Sequence, residues 1–472
     1  MINRFLKVFA IGLITLLSLA LVSADHFNPA VMVEDQISTD GTVTVAQVNS
    51  AAEGFIVIHT DNGGAPGPVA GFAPVYPGAN YNVTVDIDTS MATSTMYAML
   101  HVDTGEIGTY EFGQVEGADG PAMDADGNVI TPAFAAEIVH MTDQFVDMNT
   151  VTAASVVTAQ DGWLVIHSGN AGSPGPVLGF APVTAGSNAD VTVELEGDIT
   201  PVIFPMLHVD TGEAGAYEFG QVEGADGPVV VGGAVLTFPV WTSPNMRVAD
   251  QIVVHGDGMM MDDMMASTVT GSVLSDGPGF LVIHSDNGGA PGPVLGFAAV
   301  EAGYNADVTV ELEGDVTAVL FPMLHTDTGE IGVYEFGQVE GADGPVMNEE
   351  GNVEVYAINA APSITYSGTI DGTTLTVEQA IIDATGWLVI HADNEGAPGM
   401  VLGQTQLAPG VNSNVVVELS EEPATGTVFP MLHYDTGEAG QYEFGEVEGA
   451  DGPVRVGEAV VVGALTPEST ME

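Results

Sequence analysis

Eight histidines recur at fixed places in this chain and are the first candidates for chemistry. His59, His167, His284 and His391 each end a GFIVIH, GWLVIH or GFLVIH run, while His101, His208, His325 and His433 each end a Met-Leu-His triplet. The methionines of those triplets, Met99, Met206, Met323 and Met431, stand two residues before the histidine, hence on the same face of an extended strand. Two imidazoles and a thioether suit copper, and two imidazoles with a following carboxylate such as Asp210 suit zinc. Either metal requires the ends of two strands far apart in sequence to meet. The simpler expectation is a methionine in the core and histidines at strand ends, hydrogen-bonded to turns.

Carboxylates crowd the segment after each second histidine: Asp103, Glu106, Glu116 and Asp119, then Asp210, Glu213, Glu223 and Asp226. The later copies hold Asp327, Glu330, Glu340 and Asp343, and Asp435, Glu438, Glu448 and Asp451. Each set lies in two turns flanking a short Tyr-Glu-Phe run read as a strand, so the four side chains can converge at one end of a module. Hard oxygen donors with Gly-rich loop carbonyls suit calcium, although the spacing is not that of an EF-hand. The plainer expectation is a solvated acidic surface with Asp-Gly turns; calcium is the candidate cofactor where one is bound. Asp-Thr-Gly at Asp103, Asp210, Asp327 and Asp435 is also the aspartic-protease triplet. That chemistry needs two aspartates sharing a proton across an interface, and Glu follows the triplet here instead of Ser or Ala. A tight turn, capped by Asp and given its positive φ by Gly, accounts for the triplet better.

These residues belong to blocks that recur about every 107 to 117 positions, a domain-sized period rather than a solenoid repeat. Four modules follow: 25–136, 137–243, 244–361 and 362–464, with a polar tail over 465–472. The third carries an insertion, 255–265, reading HGDGMMMDDMM. Its five methionines could capture copper(I), but an exposed loop is the plainer expectation. Within the second module, Val151–Val157, Trp163–His167, Val177–Val183, Val191–Leu195, Val202–Leu207, Tyr217–Val222 and Val229–Val240 are β-branched and aromatic runs between Gly, Pro, Asn and Asp clusters. Gly232-Gly233 reads as a two-residue hairpin turn. Seven or eight strands per hundred residues predict an all-β, immunoglobulin-like antiparallel sandwich, with a closed barrel second. Trp163, Trp387, Phe55 and Phe280, which open the histidine runs, are expected as core anchors rather than sugar-stacking residues. Short connections rich in Pro and β-branched residues predict a semi-rigid rod.

Composition narrows the setting. Residues 1–24 read as a secretory signal peptide: Arg4 and Lys7, an apolar run, then Ser23-Ala24. Its removal leaves Arg247 and Arg455 as the only Lys or Arg against 64 carboxylates, in a chain whose formal charge is already −60. So few cations exclude nucleic acid as a partner, and the charge opposes adhesion to anionic membranes. Self-repulsion of this size favours surroundings rich in cations. Disorder is not expected, because 46% of residues are hydrophobic and they alternate as strands do. With no cysteine, an exported chain must rely on its cores and on the ions around it. Asn82-Val83-Thr84 is a lone glycosylation sequon.

The succession GWLVIH, PGPVLG, AG-x-N-x-DVTVEL, PMLH-x-DTG and G-x-DGPV resembles an uncharacterised domain family of secreted and surface proteins in haloarchaea and some filamentous bacteria such as the chloroflexi. The resemblance spans all four modules and implies a β-sandwich at the cell surface; it carries no known activity. Repetition without a catalytic constellation points to a non-enzymatic surface-layer, sheath, fibre or matrix protein, secreted or held at the cell surface. Its expected partners are copies of itself, other envelope proteins and cations, without membrane insertion once the signal is cleaved. A secreted metal-binding protein with about one site per module is the alternative function.

Overall fold

The computed structural model describes residues 29–124, 126–254, 256, 267–348 and 351–469. The signal-peptide segment 1–24 and, apart from Gly256, the insertion 255–265 lie outside them. Among the described residues there is no helix. The all-β sandwich read from the sequence is what the chain builds, four times in tandem.

The second module shows the plan. One sheet runs Ser173–Val183, Gly162–Asn170, Val202–Val209 and Val240–Trp241 in spatial order; the other joins Gly186–Glu194, Thr150–Thr158 and the end of Ala133–His140. Neighbouring strands pair antiparallel. Leu164, Ile166, Leu178, Val193, Ile203, Leu207 and Leu236 fill the space between the sheets, where burial of apolar area supplies the main driving force. The strand carrying the first histidine and the strand carrying the second are direct neighbours, with Trp163 opposite His208, Val165 opposite Met206 and His167 opposite Phe204. Their approach explains the glycine that opens each histidine run. A Cβ on Gly162 would lie 2.1 Å from the His208 carbonyl oxygen, closer than any carbon can sit.

Two segments differ from the sequence reading. Tyr217–Val222 is not a strand but a succession of turns, in which the Gln221 and Val222 amides both donate to the Glu218 carbonyl. Val229–Val240 breaks into a small hairpin, Val230–Val231 with Ala234–Val235, and a separate edge strand. The hairpin turns on Gly232 (φ 59°) and Gly233 (φ 86°), both positive as a type I′ turn demands.

The first two modules are joined by a strand, whereas the later borders are short non-strand connections over 242–244 and 360–362. Ala133–His140 pairs at its start with Thr95–Val102 of the first module and at its end with Thr150–Thr158 of the second. Residues 136 and 137, the border read from the sequence, lie inside it. An Asp-Gln pair near the start of each of the first three modules ties that start to the module's own last strand. Asp35, Asp143 and Asp250 accept the amides of Ala135, Trp241 and Asn359 at 2.7, 2.9 and 2.7 Å. Gln36, Gln144 and Gln251 hold Thr44, Thr152 and Thr270 in the same way. At the second junction Arg247, one of the chain's few cations, grips Asp143 with two nitrogens at 2.6 and 2.8 Å. The array is not the open rod expected. The Gly78–Asp86 strand of the first module meets the fourth, where Gln406 accepts the Ala79 amide at 3.2 Å and the Asn82 amide group donates to the Ser413 carbonyl.

Candidate functional site

Each histidine run has five successive non-polar or histidine side chains buried, so both faces of that strand are covered. Leu164 and Ile166 face the partner sheet. Trp163, Val165 and His167 point the other way, as do Phe204, Met206 and His208 across the pairing. This outer face would meet solvent in an ordinary sandwich. Here the segment from the Asp-Thr-Gly turn to the following Gly-Pro folds over it, laying Tyr217 against Trp163 and Phe180, with ring centroids 5.6 and 4.2 Å apart. Phe219 meets His208 edge-on at 4.7 Å. The same arrangement recurs around Tyr110 and Tyr334, and around Tyr442 with Gln404 in the place of Phe180.

One aspartate organises that covering loop. Asp226 is fully buried and holds φ at 51°, in the left-handed region. Its carboxylate accepts the Thr211 amide at 2.9 Å and the Glu218 amide; its own amide donates to the Thr211 hydroxyl at 2.8 Å. Its carbonyl accepts from His208 Nδ1 at 2.6 Å. Asp119, Asp343 and Asp451 make the same four links. Asp210 closes the first turn by accepting the Gly215 amide at 2.8 Å, and Gly212 there has φ 89°. The Asp-Thr-Gly triplet is thus a capped turn, as its chemistry implied. Asp103, Asp327 and Asp435 do likewise. Glu111, Glu218, Glu335 and Glu443, which the sequence reading did not single out, each accept the amide of Glu106, Glu213, Glu330 or Glu438.

The carboxylates proposed as calcium ligands are therefore split between two environments. Glu106, Glu116, Glu213, Glu223, Glu330, Glu340, Glu438 and Glu448 lie on the exposed side of the loop, while the central aspartates face inward and are bonded to backbone amides. Among the described residues, no three His, Cys, Asp or Glu side chains gather closely enough to cage a metal ion.

The histidines do come together. His59 and His101, His167 and His208, His284 and His325, and His391 and His433 have ring centroids 5.8, 5.9, 5.9 and 6.2 Å apart. His167 and His208 occupy adjacent strands but are offset by four positions, about 13 Å of strand. Rings so close must lean toward one another, over the methionine between them. The first histidine of each pair donates Nδ1–H to the carbonyl of Gly67, Gly175, Gly292 or Gly399 at 2.8 to 2.9 Å. The Gly-x-Pro-Gly-Pro stretch thereby acquires a use. The second histidine donates Nδ1–H to the central aspartate carbonyl. Carbonyl oxygens carry no proton, so Nδ1 holds it in all eight rings. Burial drives the second histidines well below the usual imidazole range: His101, His208, His325 and His433 are each pushed to about 4, with the first histidine's repulsion adding to it. Burial likewise pushes Tyr110, Tyr217, Tyr334 and Tyr442 up to about 12, helped by the aspartate beside each, so these phenols stay protonated.

Residues 29–136, 137–240, 258–359 and 362–466 each match DUF7282, a domain of unknown function. The chain belongs to this family. A stretch of 177 residues, 36% of the chain, is also 30% identical to Cell surface glycoprotein 1 of the archaeon Haloarcula hispanica. The match covers 16% of that much longer protein. Family membership accords with the resemblance carried by the GWLVIH and PMLH-x-DTG motifs.

Proposed function

We propose that this chain is a non-enzymatic extracellular repeat protein, a component of a surface layer, sheath, fibre or matrix in a cation-rich setting. The observation that carries the reading is structural repetition: four DUF7282 modules in tandem, with the histidine pair, the methionine and the buried central aspartate repeated in each. Repeated copies give reach and avidity, whereas an active site gains little from being serially duplicated in one chain. The similarity of 36% of the chain to a cell surface glycoprotein supports the location. The formal charge of −60 supports the ionic setting, because compaction at that charge density needs screening. Immunogold electron microscopy with antibody to the chain tests the proposal. Label on ordered or fibrous material outside the cell is expected, and a monomer found only free in the medium would reject the proposal.

A further inference from the structure

The geometry points to a buried copper(I) site in every module, made by the two Nε2 atoms of the histidine pair and the sulfur of the methionine between them. This goes beyond the surface-protein reading and does not depend on it.

Three observations carry the assignment. First, all eight rings commit Nδ1–H to a backbone carbonyl, the outer-shell bond that orients imidazole ligands and leaves Nε2 as a lone pair. Secondly, those lone pairs have nowhere to go. Nε2 of His59, His101, His167, His208, His284 and His391 is buried with no hydrogen-bond partner. Thirdly, in the remaining two rings Nε2 faces methionine sulfur: His325 to Met323 at 3.3 Å and His433 to Met431 at 3.2 Å. With the proton on Nδ1, these are two lone-pair atoms in contact with no hydrogen between them. A cation between them turns that repulsion into two bonds. With metal–nitrogen and metal–sulfur bonds of roughly 2.0 and 2.3 Å, such separations correspond to a ligand angle of roughly 100°, so in those two modules the sulfur and the second Nε2 already stand at ligand spacing.

The donor set selects the ion. Two neutral imidazoles and a thioether bring no negative charge, and no carboxylate joins them in a three-residue cluster among the described residues. A divalent ion would stay poorly compensated under the apolar lid, whereas zinc sites normally complete a tetrahedron with charged ligands. Soft thioether sulfur with imidazole fits a monovalent, low-coordinate, soft ion: copper(I), with silver(I) as its redox-inert probe. The covering loop, with Phe112, Phe219, Phe336 or Phe444 edge-on to the second ring, would shield the ion from water.

The test uses the full chain with Met259, Met260, Met261, Met264 and Met265 changed to leucine, so that the insertion contributes no thioether. Anaerobic titration with copper(I), against a chromophoric chelator, and with silver(I) should give about four tightly held ions per chain. Histidine nitrogen NMR should show Nε2 shifting on silver addition while Nδ1 stays protonated. Changing Met99, Met206, Met323 and Met431 to leucine conserves volume, and should leave the circular dichroism intact while weakening the affinity at least tenfold. Fewer than one ion held, unshifted Nε2 signals, equal affinity in the folded four-leucine chain, or displacement of silver by equimolar zinc would each overturn the assignment.

Discussion

The paired histidine strands of each module present two buried faces, and the two are built by different means. Toward the partner sheet, Leu164, Ile166, Ile203 and Leu207 meet other aliphatic side chains and nothing polar intervenes. On the opposite face, Trp163, His167, Met206 and His208 lie beneath a loop that contributes no ladder hydrogen bonds of its own to most of its length. A sheet can cover apolar residues through area alone, because its backbone groups are already paired. A loop cannot: its amides must find acceptors before it can exclude water. Asp226 and Glu218 supply those acceptors, and the two histidines pair off two of the backbone carbonyls. The polar residues of the outer face are what allow it to be buried, and they leave the imidazole Nε2 atoms unspent.

The largest effects should come from removing one large side chain from each face. Leu388→Ala and Trp387→Ala are each expected to cost about 2–5 kcal/mol, but to open different things. Leu388 belongs to the core between the sheets, so its loss should melt the fourth module as a unit. Trp387, packed on Tyr442 at 5.6 Å, should release the covering loop first, seen as proteolysis within 435–453 below the melting temperature. Identical melting and cleavage profiles for the two variants would erase the distinction between the faces.

Asp226→Asn comes next. It puts an amide where two backbone N–H groups need an acceptor, at about 2–3 kcal/mol for the lost charged hydrogen bonds. Hydrogen exchange should speed up over 210–227 and stay slow in Thr150–Thr158. Acid should act on the same face. The second histidines have their folded pKa lowered to about 4 from an ordinary 6.5, so the unfolded chain binds more protons between those values. Their stabilisation is complete above about pH 6.5 and is lost as the pH falls toward 4. In metal-free protein, going from pH 7 to 5 should cost about 2 kcal/mol per module. Assigned NMR resonances of His101, His208, His325 or His433 that titrate near 6.5 in the folded chain would contradict this.

The smallest expected effect separates screening from site binding on the acidic surface. Melting temperature should rise with sodium chloride as repulsion is screened. Calcium chloride at matched ionic strength should do no more, since the central aspartates already accept backbone amides. A calcium increment that disappears when Asp119, Asp226, Asp343 and Asp451 become Asn would restore those residues as ligands.

Much of this architecture is legible in the sequence, for reasons that also mark where reading fails. The strands, the Asp-Thr-Gly turn and the Gly232-Gly233 hairpin follow from local preferences that the fold does not override. Tyr217–Val222 misleads because alternation by two is also what a loop shows when it drops alternate aromatics onto a surface. Trp163 and its counterparts are buried as anchors, but on the loop-covered face, which period-two reasoning alone cannot distinguish from the core. A signal was available: Trp-Leu-Val-Ile-His is apolar at successive positions, as in strands buried on both sides. The Asp-Gln junction had no such signal, because its partners lie about a hundred residues away.

The strand Ala133–His140, half in one module and half in the next, sets the repeat in the gene out of phase with the unit that closes in space. The later borders are built otherwise: Val240–Trp241 closes the second module and Asn245–Arg247 opens the third, and Ile358–Asn359 and Ser363–Asp371 do the same at the next border. A cut at residue 136 would therefore divide one strand and leave unpaired backbone on both pieces, whereas cuts at 242–244 or 360–362 fall between strands. The first two modules thus resist being parted, and the later borders are where the chain can be shortened or extended without cutting a strand.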